Sequence, residues 1–297
     1  MITAPGSEPL QARASALAGD LPPLLARAWR LADAVILGEQ GRRRPGAGDA
    51  FWQYRPAQAG DPAHAIDWRR SARSDQHFVQ QKEWQGAQTV MLWADASAAM
   101  DYASPGVESK GARAALLAMA LAVLLMRAGE RVGLSGLAPG RGQVQLSRLA
   151  HALEAGAAQT GAEARPEYGS PEVAAFPAHG RAVFLSDFLG DLDPLARALA
   201  ALAERGVFGA LVMVLDPAEE AFPFSGRTIF ESMGATLRHE SRRADDLRQR
   251  YLERLAARKA ALVALAGQSG WQFHVHHSDA SPASALLWLY QAMEARR

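Results

Sequence analysis

The sequence predicts an α/β protein in which helices cover both faces of a mostly parallel β-sheet, a Rossmann-like three-layer sandwich. From residue 89 onward, short apolar runs of strand length alternate with longer stretches of helical spacing, an alternation typical of such sheets. The composition is that of a globular protein, with 49% hydrophobic and 21% charged residues. At 297 residues the chain is long enough for one large domain or two modest ones, with a sizeable core.

The N-terminal part divides into a tail, a helix and a loop. We expect residues 1–20, which are rich in Ala, Pro and Gly, to form a disordered tail. The helical spacing of Leu24, Trp29 and other apolar residues predicts a helix over Pro22–Glu39. The glycines and proline of "GRRRPGAGDA" then predict a loop. We expect residues 21–88 to pack, as an N-terminal extension, on a main domain that spans residues 89–297.

The main domain shows five strand-length runs separated by helical stretches. The predicted strands are Thr89–Asp95, Arg131–Ala138, Arg181–Asp187, Ala210–Asp216 and Trp271–His277. The predicted helices are Ser109–Ala128, Ser147–Ala155, Pro194–Glu204, Ala244–Ala266 and Pro282–Ala295. The pair "GRTIFES" and "GATLRHES" predicts an added two-stranded excursion.

The longest apolar run, Ala114–Met126, lies within the first of these helices. A helix of that length spans roughly 20 Å, whereas the core of a bilayer is about 30 Å thick, so we predict a buried helix. The N-terminus has neither the basic nor the apolar region of a secretory leader. There are no cysteines for disulfides, thiolate metal sites or a thiol nucleophile. We therefore expect a cytoplasmic protein that does not enter a membrane.

Aspartates follow three of the predicted strands, at Asp95, Asp187 and Asp216. In a parallel sheet the carboxyl ends of the strands meet at one edge, where ligands collect. Carboxylates gathered there suit a hard divalent cation, which prefers oxygen ligands. The alternative is that these aspartates cap helices and stabilise turns. The spacing alone leaves both interpretations open.

The stretch "DASAAM", which begins at Asp95, resembles the metal-ion-dependent adhesion site of the von Willebrand factor type A fold. In that fold a D-x-S-x-S loop and later Thr and Asp residues bind the cation. The resemblance implies Asp95, Ser97 and Asp187 as ligands here. The second serine is replaced by Ala99, and Thr160 is the one nearby candidate for the threonine. With two ligands lost, we expect a degenerate site that holds Mg²⁺ weakly at most, and no other cofactor.

A longer signature covers residues 46–85. It contains "YRP", "GD", "IDW" and "SAR" in that order and resembles the segment that defines bacterial domain-of-unknown-function family 58 (DUF58). The likeness continues through "LSDFL" and "LDPAE" to "LLWLYQAM", and so covers most of the chain. Seven residues of the signature are candidates for binding a partner: Tyr54, Arg55, Asp61, Asp67, Trp68, Arg69 and Arg73.

Members of that family are commonly found with MoxR-type AAA+ ATPases and are thought to serve in chaperone-like complex assembly. The resemblance therefore implies a non-catalytic adaptor that binds such an ATPase, or a client of it, near Asp95, Ser97 and Asp187. The signature can equally clamp the N-terminal region onto the sheet. In that case Asp67 caps a short helical turn and Trp68 is a packing anchor.

A metal-dependent hydrolase is the main alternative function. It would use the carboxylates at the strand ends, or His274 and His276, which share one face of the last predicted strand. Two histidines at this spacing can bind zinc, but no third ligand or general base is indicated. Polar residues on an edge strand explain them more simply. Walker A, G-x-S-x-G and G-x-G-x-x-G motifs are absent from the sequence.

A nucleic-acid interface is a further alternative. It would rest on Arg42–Arg44 together with the arginines of the signature, Arg69, Arg70 and Arg73. The formal net charge of +1 gives no global support for binding to a polyanion. We therefore expect a protein partner and neither nucleic acid nor membrane.

Overall fold

The computed structural model describes residues 22–39, 51–57, 66–72, 76–82, 88–158, 165–233 and 238–294. The chain forms two compact units. The signature unit is Gln40–Ala87, and the main unit is Met1–Glu39 together with Gln88–Arg297. The N-terminal helix belongs to the main unit and not to the signature unit.

The elements of both units are numbered here in chain order. The helices are α1 (Pro23–Glu39), α2 (Trp68–Ser71), α3 (Lys110–Arg127), α4 (Gly142–Ala158), α5 (Asp193–Glu204), α6 (Pro217–Ala221), α7 (Asp245–Gln268) and α8 (Pro282–Glu294). The strands are β1 (Phe51–Pro56), β2 (Phe78–Lys82), β3 (Thr89–Ala94), β4 (Arg131–Leu134), β5 (Leu137–Gly140), β6 (Arg181–Ser186), β7 (Phe208–Leu215), β8 (Thr228–Glu231), β9 (Arg238–Ser241) and β10 (Gln272–His277). A turn of 3-10 helix spans Ala98–Asp101.

The main unit is built around a six-stranded sheet with the spatial order β10-β7-β6-β3-β4-β5. Every neighbouring pair is parallel except β4 and β5, which are antiparallel. Helices lie on both faces, so the predicted three-layer sandwich with a mostly parallel central sheet is confirmed. The excursion predicted after α6 is confirmed as the antiparallel hairpin β8–β9.

Two hydrophobic cores lie on opposite faces of the sheet. Successive side chains of a strand point to opposite faces, and in β3 Val90 and Leu92 join one core while Met91 and Trp93 join the other. The first core includes residues of α1, α3, α4 and α8. The second includes residues of α5 and α7. The central strands β3, β6 and β7 are therefore buried on both faces, as their continuous apolar sequences require.

Helix α3 is buried along most of its length, from Ala114 to Leu125. A helix that is apolar on all sides belongs in the interior of a protein, and α1 packs against it through Leu25, Ala28 and Ala32, which are also buried. The prediction of a buried helix is confirmed. Among the residues that the structure describes, no helix is both long enough and apolar enough to cross a membrane.

The single strand predicted over Arg131–Ala138 is wrong. The segment forms β4 and β5, which are joined by a tight turn at Gly136 with φ +81°. A positive φ favours glycine and reverses the chain. Helix α4 also begins five residues before its predicted start, at Gly142. In this first turn the buried Gln145 donates hydrogen bonds to Val132 O (3.0 Å) and Ala138 O (2.9 Å), which connect the helix to β4 and β5.

The described part of the signature unit is a two-stranded antiparallel sheet, β1–β2, with the short helix α2 between the strands in sequence. Tyr54 and Arg55 lie in β1, opposite Gln80 and Val79 of β2. Both residues therefore occupy fixed positions in this small sheet.

Helix α2 begins as predicted, with Asp67 as its cap. The Asp67 carboxylate accepts a hydrogen bond from the backbone N–H of Arg69 (3.1 Å). The prediction that Trp68 is a packing anchor is wrong, because its side chain is 57% exposed and meets the ring of His77 edge-on. A single helical turn buries one face only, and the buried residue is Ser71, which bonds to Asp67 O and to the N–H of Phe78.

Candidate functional site

The candidate site lies where the direction of the sheet's connections reverses. Numbered in sequence, the six strands have the order 6-5-4-1-2-3, and the connections from β3 and β6 lead to opposite sides. Adjacent loops diverge at such a switch point and leave a crevice beyond the carboxyl ends of the strands. Asp95 follows β3 and Asp187 follows β6, and both line the same small cleft. The structure therefore brings these two predicted residues together.

Asp95 is buried and held by its own neighbours. Its Oδ1 accepts a hydrogen bond from the backbone N–H of Ser97 (2.8 Å), and its Oδ2 accepts one from the hydroxyl of Ser186 (2.6 Å). Burial raises the pKa of Asp95, and the negative charge of Asp187 raises it further. The side chain of Ser97 is buried too, and its Oγ has no hydrogen-bond partner within the described part of the chain.

The segment after α4 closes over this carboxylate. The backbone N–H groups of Ala98 and Ala99 donate to Pro166 O (3.0 Å) and Glu167 O (2.9 Å). Gly169 lies so close that a Cβ atom there would be 2.1 Å from Asp95 Oδ1. The loop that carries the degenerate D-x-S-x-A sequence is therefore fixed by backbone contacts, including one from the residue that replaces the second serine.

A lysine holds the positive charge of the site. Lys110 is the first residue of α3, which Ser109 caps by accepting a hydrogen bond from Ala112 N (3.2 Å). Its Nζ lies 2.7 Å from Asp187 Oδ2 and 2.6 Å from Glu219 Oε1, and its side chain is 1% exposed. Burial alone would lower the pKa of Lys110, but the two carboxylates raise it above its usual value. We call Lys110, Asp187 and Glu219 the lysine cluster.

The third strand-end aspartate is a helix cap. Asp216 forms a capping box with Glu219: its carboxylate accepts from Ala218 N (2.8 Å), and its N–H donates to Glu219 Oε2 (3.0 Å). The same carboxylate accepts hydrogen bonds from the backbone and the hydroxyl of Ser104. For Asp216 the capping interpretation is thus confirmed, and the cap also positions Glu219 beside Lys110.

Asp95, Ser97 and Asp187 do not fit the divalent ion that the resemblance to the type A fold implies. Both oxygens of Asp95 are engaged by protein donors, and an ammonium already lies against Asp187. At an effective dielectric constant of about 20, an ammonium and a divalent cation about 4 Å apart repel each other by roughly 8 kcal/mol. The unpartnered Oγ of Ser97 is the one feature that would suit a cation. Weak magnesium binding at Asp95, Ser97 and Asp187 stays a prediction that this geometry disfavours.

Tyr168 and Asp191 form the exposed rim of the cleft that Asp95 and Asp187 line. Tyr168 is 41% exposed, and Asp191, just before α5, is exposed as well. Burial raises the pKa of Tyr168 and the nearby Asp187 raises it further, so the phenol stays protonated. A half-exposed tyrosine beside a fixed charge network is the type of residue that anchors protein partners.

A model of the family described as "Protein of unknown function DUF58" matches residues 53–261. The chain belongs to the DUF58 family. Among solved structures, the crystal structure of the conserved hypothetical protein BatB from Bacteroides thetaiotaomicron aligns with 71% of this chain and 100% of that chain, at 13% identity and a TM-score of 0.39. That likeness is too distant to support an argument about this chain. No curated protein matches the sequence.

The DUF58 signature and the lysine cluster belong to different units. Asp67, Trp68 and Arg69 are described, and Arg69 is exposed. Asp61 and Arg73 lie outside the described residues, as do Thr160 and Arg42–Arg44 of the sequence-based proposals. Partner binding by the signature stays a prediction.

The predicted histidine site of this DUF58 protein has a structural explanation. The ring of His274 stacks on Trp288 at 4.7 Å. His276 is buried, with Nε2 3.3 Å from Arg113 Nη1, which donates to Ala280 O (2.6 Å). Burial, and then the adjacent guanidinium, lowers the pKa of His276 to about 4. The neighbouring positive charge makes this a poor position for a metal ion.

Sequence reasoning missed Lys110 and Glu219, which complete the site. Lys110 carried one local signal, because a lysine in the first turn of a helix opposes the helix dipole. Glu219 carried one as well, since Asp216 and Glu219 have capping-box spacing. Neither signal indicates that the two side chains meet, because they are 109 positions apart in the chain.

Proposed function

We propose that this DUF58 protein is a non-catalytic interaction protein that binds a MoxR-type AAA+ ATPase, or a client of such an ATPase, at the carboxyl edge of its sheet. The partner class is taken from the family resemblance. The location is supported by the switch point, where ligands of α/β sheets bind. The role proposed for the site is to present a rigid surface to the partner.

The observation that carries the proposal is the buried lysine cluster beneath the exposed rim. The Lys110 ammonium and the Asp187 carboxylate are withdrawn from water near Tyr168, and the partly buried Glu219 completes the network, at hydrogen-bonding distances of 2.7 and 2.6 Å from the ammonium. Buried ion pairs contribute little net stability compared with apolar residues. A network kept at the usual ligand position of the fold is therefore better explained by a role in positioning the surface than by stability alone.

The hydrolase alternative receives no comparable support. Among the described residues, no three His, Cys, Asp or Glu side chains are grouped so that they could hold a metal ion. His276 lies against a guanidinium, and the Asp187 carboxylate is paired with Lys110. We therefore propose one function and not two.

The test uses surface variants, because Asp95, Ser97 and Asp187 are buried and their replacement endangers folding. The MoxR-type ATPase of the same cell is immobilised, and the affinity of the full chain is measured by biolayer interferometry. The test variant is Asp191→Arg combined with Tyr168→Ser, at the rim. The matched control is Glu204→Arg, which reverses an exposed charge at the other end of α5, on the amino edge of the sheet.

The proposal predicts that the rim variant loses at least about tenfold in affinity, as expected when an aromatic anchor and a charge contact are both removed. The control variant should bind like the wild type. Equal binding by all three proteins would place the docking surface elsewhere. A wild-type chain that does not bind the ATPase would remove the proposed partner.

A further inference from the structure

A second candidate site is an aromatic groove between α6, the β8–β9 hairpin and α7. Phe222 follows α6, with a positive φ of 45° that turns its ring inward. The centre of that ring lies 5.2 Å from the ring centre of Phe224 and 4.8 Å from that of Tyr251. It also stacks on the ring of Phe230, with 5.6 Å between the ring centres. Four aromatic rings thus form one cluster, although only Phe222 among them is fully buried.

The cluster leaves an open groove of about 930 Å³, part of it open to solvent. Its floor is apolar, and its polar lining is His239, Arg250 and Arg254. The groove is larger than a single side chain needs, and its aromatic floor matches the sites that bind large apolar groups. No lining residue of this groove belongs to the lysine cluster, so the site is separate from the one described above.

Two arginines bring positive charge to the rim of the groove. Arg250 and Arg254 lie one turn apart on the same face of α7, and both are exposed. Within the described part of the chain, neither guanidinium forms an ion pair or a hydrogen bond. Arg227 of the same region, by contrast, is paired with Glu240 at 2.7 Å.

Two carboxylates close to Tyr251 are already neutralised by lysines. Glu219 and Glu220 act on Tyr251, whose pKa is raised first by burial and then by these two carboxylates. Each of the two is itself paired with a lysine, Glu219 with Lys110 and Glu220 with Lys259. Within the described part of the chain, an incoming ligand therefore meets an apolar floor and two guanidinium groups that form no ion pair.

We propose that this groove binds a protein segment in which a large aromatic or aliphatic side chain is flanked by carboxylates. The apolar side chain would pack on Phe222, Phe230 and Tyr251, and the carboxylates would pair with Arg250 and Arg254. Arginine suits this recognition because its planar fork donates two parallel hydrogen bonds to one carboxylate. The inference goes beyond the proposed function, since it concerns a different surface and requires no ATPase.

The probe is a short fluorescein-labelled peptide whose central tryptophan is flanked on both sides by glutamates. Its affinity for the full chain is measured by fluorescence anisotropy at low and high salt. A counterpart with glutamines in place of the glutamates tests the charge, and a counterpart with serine in place of the tryptophan tests the apolar contact. The protein variants are Arg250→Glu/Arg254→Glu and, as a matched control, Arg148→Glu/Arg197→Glu. The control pair are exposed helical arginines without an ion pair among the described residues.

The glutamate peptide should bind the wild type, more weakly as salt rises, and at least about tenfold more tightly than either counterpart. The Arg250→Glu/Arg254→Glu protein should lose at least about tenfold in affinity, while the control pair should keep it. The inference is overturned if the glutamine peptide binds equally well, if the serine peptide does, or if the two charge-reversed proteins lose affinity equally. Circular dichroism of each variant confirms that its fold is retained.

Discussion

Lys110 occupies a position that is unfavourable for a lysine in two respects. It lies in the first turn of α3, where the helix dipole favours anions, and it is almost completely withdrawn from water. Asp187 and Glu219 compensate for both, since each carboxylate lies within hydrogen-bonding distance of the ammonium. At the scale of single residues, the site is a charge balance that fails if its one cation is removed.

Replacing Lys110 by methionine leaves the buried carboxylate of Asp187 and the partly buried carboxylate of Glu219 without their cation. We expect Lys110→Met to lower the free energy of unfolding by roughly 3–5 kcal/mol, as measured by urea denaturation at neutral pH. Lys259→Met is the matched control, because Lys259 pairs with Glu220 at a more exposed position and should cost about 1 kcal/mol or less. Equal losses in the two variants would contradict the role assigned to Lys110.

Asp95 gives the site a pH dependence of definite sign. Its pKa is raised in the folded state above the ordinary value of 3.8, so just above that pH the folded chain retains a proton that the unfolded chain has lost. The free energy of unfolding therefore falls as pH rises through this window. Asp95→Asn removes this contribution, so the unfolding free energy of the variant minus that of the wild type should rise with pH. Urea titrations at several pH values measure this difference. A difference that stays constant or falls with pH would contradict the raised pKa of Asp95.

Three local elements hold the charged groups of the site in place. The turn after β3 presents Asp95 and Ser97, and the segment 165–171 covers them with Gly169 against the carboxylate. The capping box of α6 points Glu219 at Lys110. The positions of the charged groups thus depend on close backbone approaches at these elements.

Gly169 is the most restricted of these approaches. A Cβ atom there would come within 2.1 Å of Asp95 Oδ1, so we expect Gly169→Ala to lower the free energy of unfolding by about 1–3 kcal/mol. Gly267→Ala is the control, since nothing lies within 4 Å of its Cβ position in α7, and it should be neutral or stabilising by up to about 1 kcal/mol. Thermal or urea unfolding of both variants tests this prediction. An unchanged free energy of unfolding for Gly169→Ala would show that the segment 165–171 does not pack tightly against Asp95.

Local sequence patterns predicted what depends on local structure. The apolar runs that end at Asp95 and Asp187 placed both residues at one edge of the sheet, because parallel strands end together. The same patterns merged β4 and β5 into one strand, since the turn at Gly136 interrupts an apolar run by only two residues. The pairing of Lys110 with Asp187 and Glu219 could not be predicted, because it joins three distant segments through tertiary packing.

At the scale of the whole molecule, the sheet and its two cores explain why this edge is rigid. Val183 and Leu185 of β6 are anchored in one core and Phe184 in the other, so the strand that delivers Asp187 is fixed on both faces. Helix α3, which delivers Lys110, is buried along most of its length. We infer from this architecture that the ammonium of Lys110, and not a divalent ion, supplies the positive charge beside Asp187 at the carboxyl edge.

The measurement that tests this claim most directly is a calorimetric titration of Mg²⁺ into the metal-free wild-type chain and into Lys110→Ser. The wild type should show no saturable binding at millimolar Mg²⁺. The variant should bind the ion and gain thermal stability from it, because Asp187 and Glu219 are released and a ligand of the folded state stabilises it. Stoichiometric, saturable binding of Mg²⁺ to the wild type would contradict the claim and restore a metal-dependent site.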